Sequence, residues 1–217
     1  MQQNAEKINM MDRLKLQTKE LHVKAHELPF FRALFRKELK IDSYIGQLKA
    51  FAVIAESLER NLAECGHPAV KAVLNGYMPK LPLIAQDIAF FAHLHVRESA
   101  GAMEAALSAA DKIARRKEQN PLSLLGHLYT LEGSTLGGKI ILRHMAEQFG
   151  LKIPEGLRYF DSYSEHVQSN WQNFSSRMLN AVTEENTEKD IIEASCEFFS
   201  DLLKVYDALH PLEGDRT

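Results

Sequence analysis

The stretch LYTLEGSTLGGKIILRH, residues 128–144, returns apolar residues every three or four positions, the period of a helix, yet it carries Gly133, Gly137 and Gly138 in its interior. Each interior glycine costs a helix roughly 0.5–1 kcal/mol relative to alanine, about 2–3 kcal/mol for the three together, and something must offset that cost. Gly126, Gly133 and Gly137 follow at spacings of seven and four, so they share a face and strip it of side chains for about three turns. Two explanations compete. Either a flat ligand lies almost against the backbone, or a neighbouring helix packs closely there. Gly138 widens the gap, and two glycines in succession favour a kink.

The same periodicity extends outward over nearly the whole chain, with almost no alternating β-branched runs, and predicts an all-α protein. At 217 residues, with 45% hydrophobic and 25% charged residues, the length suits one soluble domain over 1–217 with a full core, its ends at about 1–8 and 211–217 flexible. A net charge of −3 argues against a general nucleic-acid or membrane-surface binder, which needs a broad basic field. Cys65 and Cys196 are too few for a disulfide scaffold and lack metal-ligand spacing, which points to a reducing cytoplasm. The N-terminus lacks an apolar signal run, and no stretch reaches the length of a membrane span.

Punctuation residues divide the helices. The first runs from about Asn9 to Glu27, before Pro29 and the short segment FFRALFRKEL. Asp42 is the expected cap of a long helix, SYIGQLKAFAVIAESLERNLAEC, that stops at Gly66 and His67-Pro68. NGYMPKLP, residues 75–82, reads as a loop, followed by a helix from about Leu83 to His95. SAGAMEAALSAADKIARRKEQ forms an alanine-rich helix ending at Asn120-Pro121, the glycine-bearing helix comes next, and Gly150 to Gly156 is a turn. YFDSYSEHVQSNWQNFSSRMLNAV and TEKDIIEASCEFFSDLLKVYDAL are the closing helices, separated by TEEN.

Two stripes on the first helix carry chemistry. Leu14, Thr18, Leu21, Ala25 and Leu28 form the core-facing seam, and beside it Lys15, Lys19, His22 and His26 project along a second line. A neutral imidazole there is a competent metal ligand, with ammonium groups one and two turns earlier placed for anions on the same ligand, the outline of a haem site. The plainer explanation is that the histidines border the seam and the lysines are solvated. An i, i+4 histidine pair also suits zinc, but no HExxH glutamate follows the first histidine.

Together, LKLQTKELHVKAHELPFF and LYTLEGSTLGGKI resemble the haem oxygenases, particularly the bacterial biliverdin-producing branch, and the similarity extends over essentially the whole chain to the closing helices. The resemblance implies a multi-helix haem oxygenase-like bundle with His22 as the proximal haem ligand and Lys15 and Lys19 facing the propionates. It makes Gly133, Gly137 and Gly138 the glycines of a distal helix that bends over the haem. His26 is expected to stand beside the ligand or at the surface, without ligating. Ser134 stands where mammalian members carry a water-organising aspartate, and the Ser134 and Thr135 hydroxyls are candidates to hold that water. At the propionate edge of the penultimate helix, family arginine and lysine positions fall at Ser175 and Trp171, with Arg177 close by as the candidate cation.

The activity so implied is oxidative opening of haem, both substrate and cofactor, to biliverdin with release of iron and carbon monoxide. It consumes O2 and electrons from a flavin reductase or a ferredoxin. Alternatives on this architecture are a non-catalytic haem-binding sensory protein, a thiaminase-like enzyme, and a di-iron oxygenase drawing on Glu56, Glu59, Glu193 and Glu197. KIARRK, Lys112 to Lys117, is either a dock for an acidic electron donor or a solvated helix end. His93 and His95, at a spacing of two, make no metal pair; Trp171, Phe174, Phe198 and Phe199 read as core, with one of them a candidate to border the haem, and His127 and His144 flank the glycine segment.

Overall fold

Residues 8–209 are described by the computed structural model, and all regular structure among them is helical. The expectations for the chain ends therefore lie, apart from Ile8, outside the described residues. Helix α1 spans Met10–Glu27 and is capped by Asn9, whose side chain accepts the Asp12 N–H at 3.0 Å. Pro29 does more than break that helix: it opens α2, Pro29–Phe35, at a position where its missing N–H costs nothing. α3, Ile41–Glu64, starts from Lys40, so the expected cap Asp42 sits within its first turn. α4, Pro68–Leu74, is a further helix that the pattern did not predict, capped by the His67 ring accepting the Ala69 N–H at 3.2 Å.

α5, Leu81–Phe90, ends five residues short of the predicted His95. α6, Ala100–Gln119, begins at a Ser99 cap and presents Ala102, Ala106 and Ala109 to the core, small residues that let it lie close to α3. After a single 3-10 turn comes α7, Leu124–Phe149, ending at Gly150 with φ of 64°. Its helical bonding runs through all the interior glycines without a break. α8, Val167–Ala181, and α9, Glu185–Ala208, close the bundle.

The turn expected from Gly150 to Gly156 continues further than predicted: residues 159–166, expected as the start of the penultimate helix, form turns and a short 3-10 segment. Long-range bonds explain this. The Asp87 carboxylate on α5 accepts the N–H groups of Arg158 and Tyr159, each at 2.9 Å, and Tyr44 donates to the Gly156 carbonyl at 2.6 Å. Gly156 has φ of 70°, and a Cβ there would sit 2.7 Å from Phe91 and 2.8 Å from Phe90.

The core lies between α3, α6, α7 and α9, filled by Leu48, Ile54, Leu58, Ile113, Leu128 and Phe198 among others. Each such side chain contributes about 1.5–3 kcal/mol on burial. α1 lies along α9, while α7 packs on α9 and α8, and this arrangement leaves room between α1 and α7. Among the described residues no helix is long and apolar enough to cross a membrane.

Candidate functional site

The space between α1 and α7 is a cavity of about 1120 Å³. Along α1 it is lined by Lys15, Lys19, His22 and His26, so the second stripe of that helix faces one space. The core seam behind it is buried at Leu14 and Thr18 and half-buried at Leu21, Ala25 and Leu28. The His22 ring is exposed to the cavity and meets the edge of Phe199 from α9, with centroids 4.7 Å apart. Partial burial, and then the neighbouring His26, lower its proton affinity, so a neutral imidazole is the favoured form. His26 instead stacks on Phe35 at 6.0 Å.

Across the cavity, α7 contributes Gly133, Ser134, Thr135, Leu136, Gly137 and Gly138. The glycines divide by what stands opposite each of them. A Cβ at Gly137 would meet nothing within 4 Å, and one at Gly133 would touch only Trp171, at 3.6 Å. Gly126, in contrast, serves helix packing: a Cβ there would lie 2.2 Å from the Ile191 carbonyl and 2.8 Å from the Ser195 nitrogen of α9. Gly138 lets the backbone at Phe160 approach, with its carbonyl 3.0 Å from the Cβ position. The helix-packing explanation thus holds at Gly126, while Gly133 and Gly137 face the cavity.

The hydroxyls of this wall are largely committed. Ser134 donates to the Leu131 carbonyl at 2.7 Å and Thr135 to that of Glu132 at 2.6 Å. The remaining edge, on α8, is lined by Trp171, Ser175 and Leu179. Arg177, the sequence candidate for this edge, is not among the lining residues; its Nε donates to the Val73 carbonyl at 3.0 Å. Lys15 and Lys19 are therefore the only lysine or arginine side chains among the described lining residues. A planar ligand with an apolar face and an anionic edge fits these walls: imidazole and ammonium groups on one, bare backbone on the other.

Behind α7 sits a buried polar network of which sequence reasoning gave no sign. Lys80, in the segment read as a loop, is fully buried and pairs with Glu132 at 2.8 Å. Tyr163 donates to the other Glu132 oxygen at 2.9 Å, and the Lys80 ammonium lies 4.1 Å from the Tyr163 ring centroid. Burial lowers the Lys80 proton affinity and the Glu132 charge opposes that shift. Glu59 accepts from Tyr77 at 3.0 Å and from the N–H groups of Lys80 and Leu81. A lysine between prolines carries no sequence signal of burial.

Other candidates fall away from the cavity. His127 is core, bonded to the Ser123 carbonyl at 2.9 Å and pushed down to about 4 chiefly by burial. His144 packs edge-on to Phe35, and His93 and His95 follow the end of α5 in exposed turns. Three of the four cations of KIARRK pair within the molecule, Lys112 with Asp201 at 2.7 Å, Arg116 with Glu197 at 2.8 Å and Lys117 with Glu64 at 2.8 Å, and Arg115 is exposed. Of the di-iron candidates, Glu59 and Glu197 are engaged in these bonds, and Glu56 and Glu193 are exposed. Among the described residues no cluster of three or more histidine, cysteine or carboxylate groups is placed to hold a metal ion.

The family model described as "Heme oxygenase" matches residues 8–207. A heme oxygenase of Takifugu rubripes is 26% identical over 161 residues, which is 70% of this chain and 56% of that protein, so the chain spans little more than half the length of this relative. Among solved structures, the heme oxygenase of Leptospira interrogans superposes with a TM-score of 0.82 at 19% identity, covering 92% of this chain and 99% of that one. Heme oxygenase-1 of the cyanobacterium Synechocystis, solved in complex with heme, gives 0.81 at 18% identity over 92% and 91% of the two chains.

Proposed function

The chain belongs to the haem oxygenase family, and from that membership and the cavity between α1 and α7 we propose that it is a haem-degrading enzyme. The haem, substrate and cofactor at once, supplies the iron at which O2 is activated, and its ring is opened to biliverdin, iron and carbon monoxide on electrons from a reductase or ferredoxin. The observation that carries the reading is the shared cavity itself, lined by a neutral imidazole, two ammonium groups, the unobstructed Gly137, and Gly133, which faces Trp171 alone.

Each wall has a distinct task. His22, steadied by the Phe199 ring, would hold the haem iron through a ring nitrogen, and a neutral imidazole is the form that can ligate. Lys15 and Lys19, exposed on the same stripe, neutralise the two propionates. Gly133 and Gly137 let a porphyrin and a small oxygen ligand come near the α7 backbone. Ser134 and Thr135 place hydroxyl oxygens beside that backbone, where they orient water. The apolar side chains Leu136, Ile140 and Leu179 shield the ring face from bulk solvent.

An anaerobic haemin titration followed by admission of O2 and a reductant tests the proposal. Stoichiometric binding with a Soret band, then conversion to biliverdin, is the expected result. Binding without ring opening under several donors assigns the protein to haem binding alone, and absence of specific binding removes the haem reading.

A further inference from the structure

Tyr159 stands in the segment between α7 and α8, and no feature of the sequence singled it out. Its ring lines the cavity, is 7% exposed, and is held between Phe51, at 5.8 Å, and Phe160, at 5.0 Å. The Asp87 carboxylate fixes its backbone through the two N–H bonds at 2.9 Å, so the phenol is presented from a rigid turn.

The hydroxyls that line this part of the cavity can be followed one by one. Thr130 is engaged with the Gly126 carbonyl and Ser195, and Thr135 with the Glu132 carbonyl. Thr18 donates to the Leu14 carbonyl at 2.8 Å. Ser134 gives its hydrogen to the Leu131 carbonyl, and its side chain lies near the Tyr159 hydroxyl. The Tyr159 hydroxyl, on a ring at the cavity wall, keeps a hydrogen that can turn toward a polar atom in the cavity. Burial holds the phenol well above its ordinary proton affinity, with Ser134 pulling the other way, so it remains a donor at neutral pH. A second phenol stands nearby: Tyr206, also in the lining, accepts from Gln47 at 3.1 Å, while the Gln47 carbonyl oxygen is buried with no protein partner.

We propose that Tyr159 is a positioning residue of the α7 side of the site, its hydroxyl working with Ser134 as the hydrogen-bond donor to a polar guest, water or dioxygen, in the cavity. In this chain a tyrosine from outside the helix thereby supplies the polar contact that Ser134, bonded back to its own helix, cannot make alone. The proposal rests on the haem reading above. It extends that reading to a residue that the resemblance did not supply.

The full chain, loaded with haem, reduced and exposed to carbon monoxide, provides the test through the C–O stretching band in ordinary and heavy water. The native protein is expected to show a band that moves in heavy water. In Tyr159→Phe, which keeps the ring packing, the band should shift to higher frequency and lose that dependence. Ser134→Ala, which leaves the phenol in place, and Tyr206→Phe should both keep it. A Tyr159→Phe band identical to the native one, or loss of the heavy-water shift in Tyr206→Phe alone, overturns the assignment of Tyr159. Failure of the native protein to load haem overturns the underlying reading instead, and is distinguished at the loading step.

Discussion

The α1 wall meets the cavity with charged and imidazole side chains that owe little to the core behind them, whereas the α7 wall meets it with backbone held in place from several other segments. Lys15, Lys19 and His22 are exposed residues on one helical line. Gly133 and Gly137 lie on a helix whose Glu132 is anchored to Lys80 and Tyr163, whose Gly126 is pressed on α9, and whose Gly138 is pressed on the Phe160 backbone. Ligand-binding groups on a surface stripe can be altered without disturbing the fold. An open stretch of backbone, by contrast, is a property of the fold as a whole.

The largest expected effect falls behind α7. Lys80→Met leaves the buried Glu132 carboxylate without its counter-charge and should cost about 3–5 kcal/mol in urea unfolding, most of it recovered in Lys80→Met/Glu132→Leu. A cost near zero for the single variant would erase the contrast between the walls. Within α7 the glycines should separate: Gly126→Ala, with backbone atoms 2.2 Å and 2.8 Å from the new Cβ, should lose about 1–3 kcal/mol. Gly137→Ala should gain about 0.5–1 kcal/mol by helix propensity, while haemin affinity falls.

Next comes Asp87, which positions the Tyr159 segment. Burial raises it from 3.8 to about 6, against the opposing N–H bonds of Tyr159 and Arg158. Because the folded state holds this proton more tightly than the unfolded chain, the stability contributed is complete below about pH 4 and lost as pH rises through about 6. Asp87→Asn should flatten that part of the thermal stability profile. It should also lose about 1–3 kcal/mol, since its amide NH2 faces a backbone N–H. Smallest of all is the effect on folding of Lys15→Ala or Lys19→Ala, within about 0.5 kcal/mol by denaturant. Each should weaken haemin binding by about 1 kcal/mol or less, an effect that shrinks as salt is added.

The contrast also governs what could be read in the sequence. The α1 stripe is a matter of spacing along one helix, so it was legible, as were most helix limits marked by Asn9, Ser99, Asn120 and Gly150. Gly126 shares its period with Gly133 and Gly137, and period alone does not say whether α9 or a cavity lies opposite. Tyr159 sits in a stretch with helical patterning, and the Asp87 bonds that hold it in turns come from more than seventy residues away. Lys80 looked like a loop lysine because its partners, Glu132 and Tyr163, are distant in the chain. Arg177 lay in the right helix near the expected position, but its side chain turns to the end of α4.

The most direct test of the account is the haemin spectrum of His22→Ala with and without added imidazole. The native protein should bind one haem with an imidazole-ligated spectrum, the variant should lose that spectrum, and free imidazole should restore it, since the cavity and its α7 wall are left intact. A variant whose spectrum matches the native one without imidazole would place the ligand elsewhere and contradict the assignment of α1 as the proximal wall.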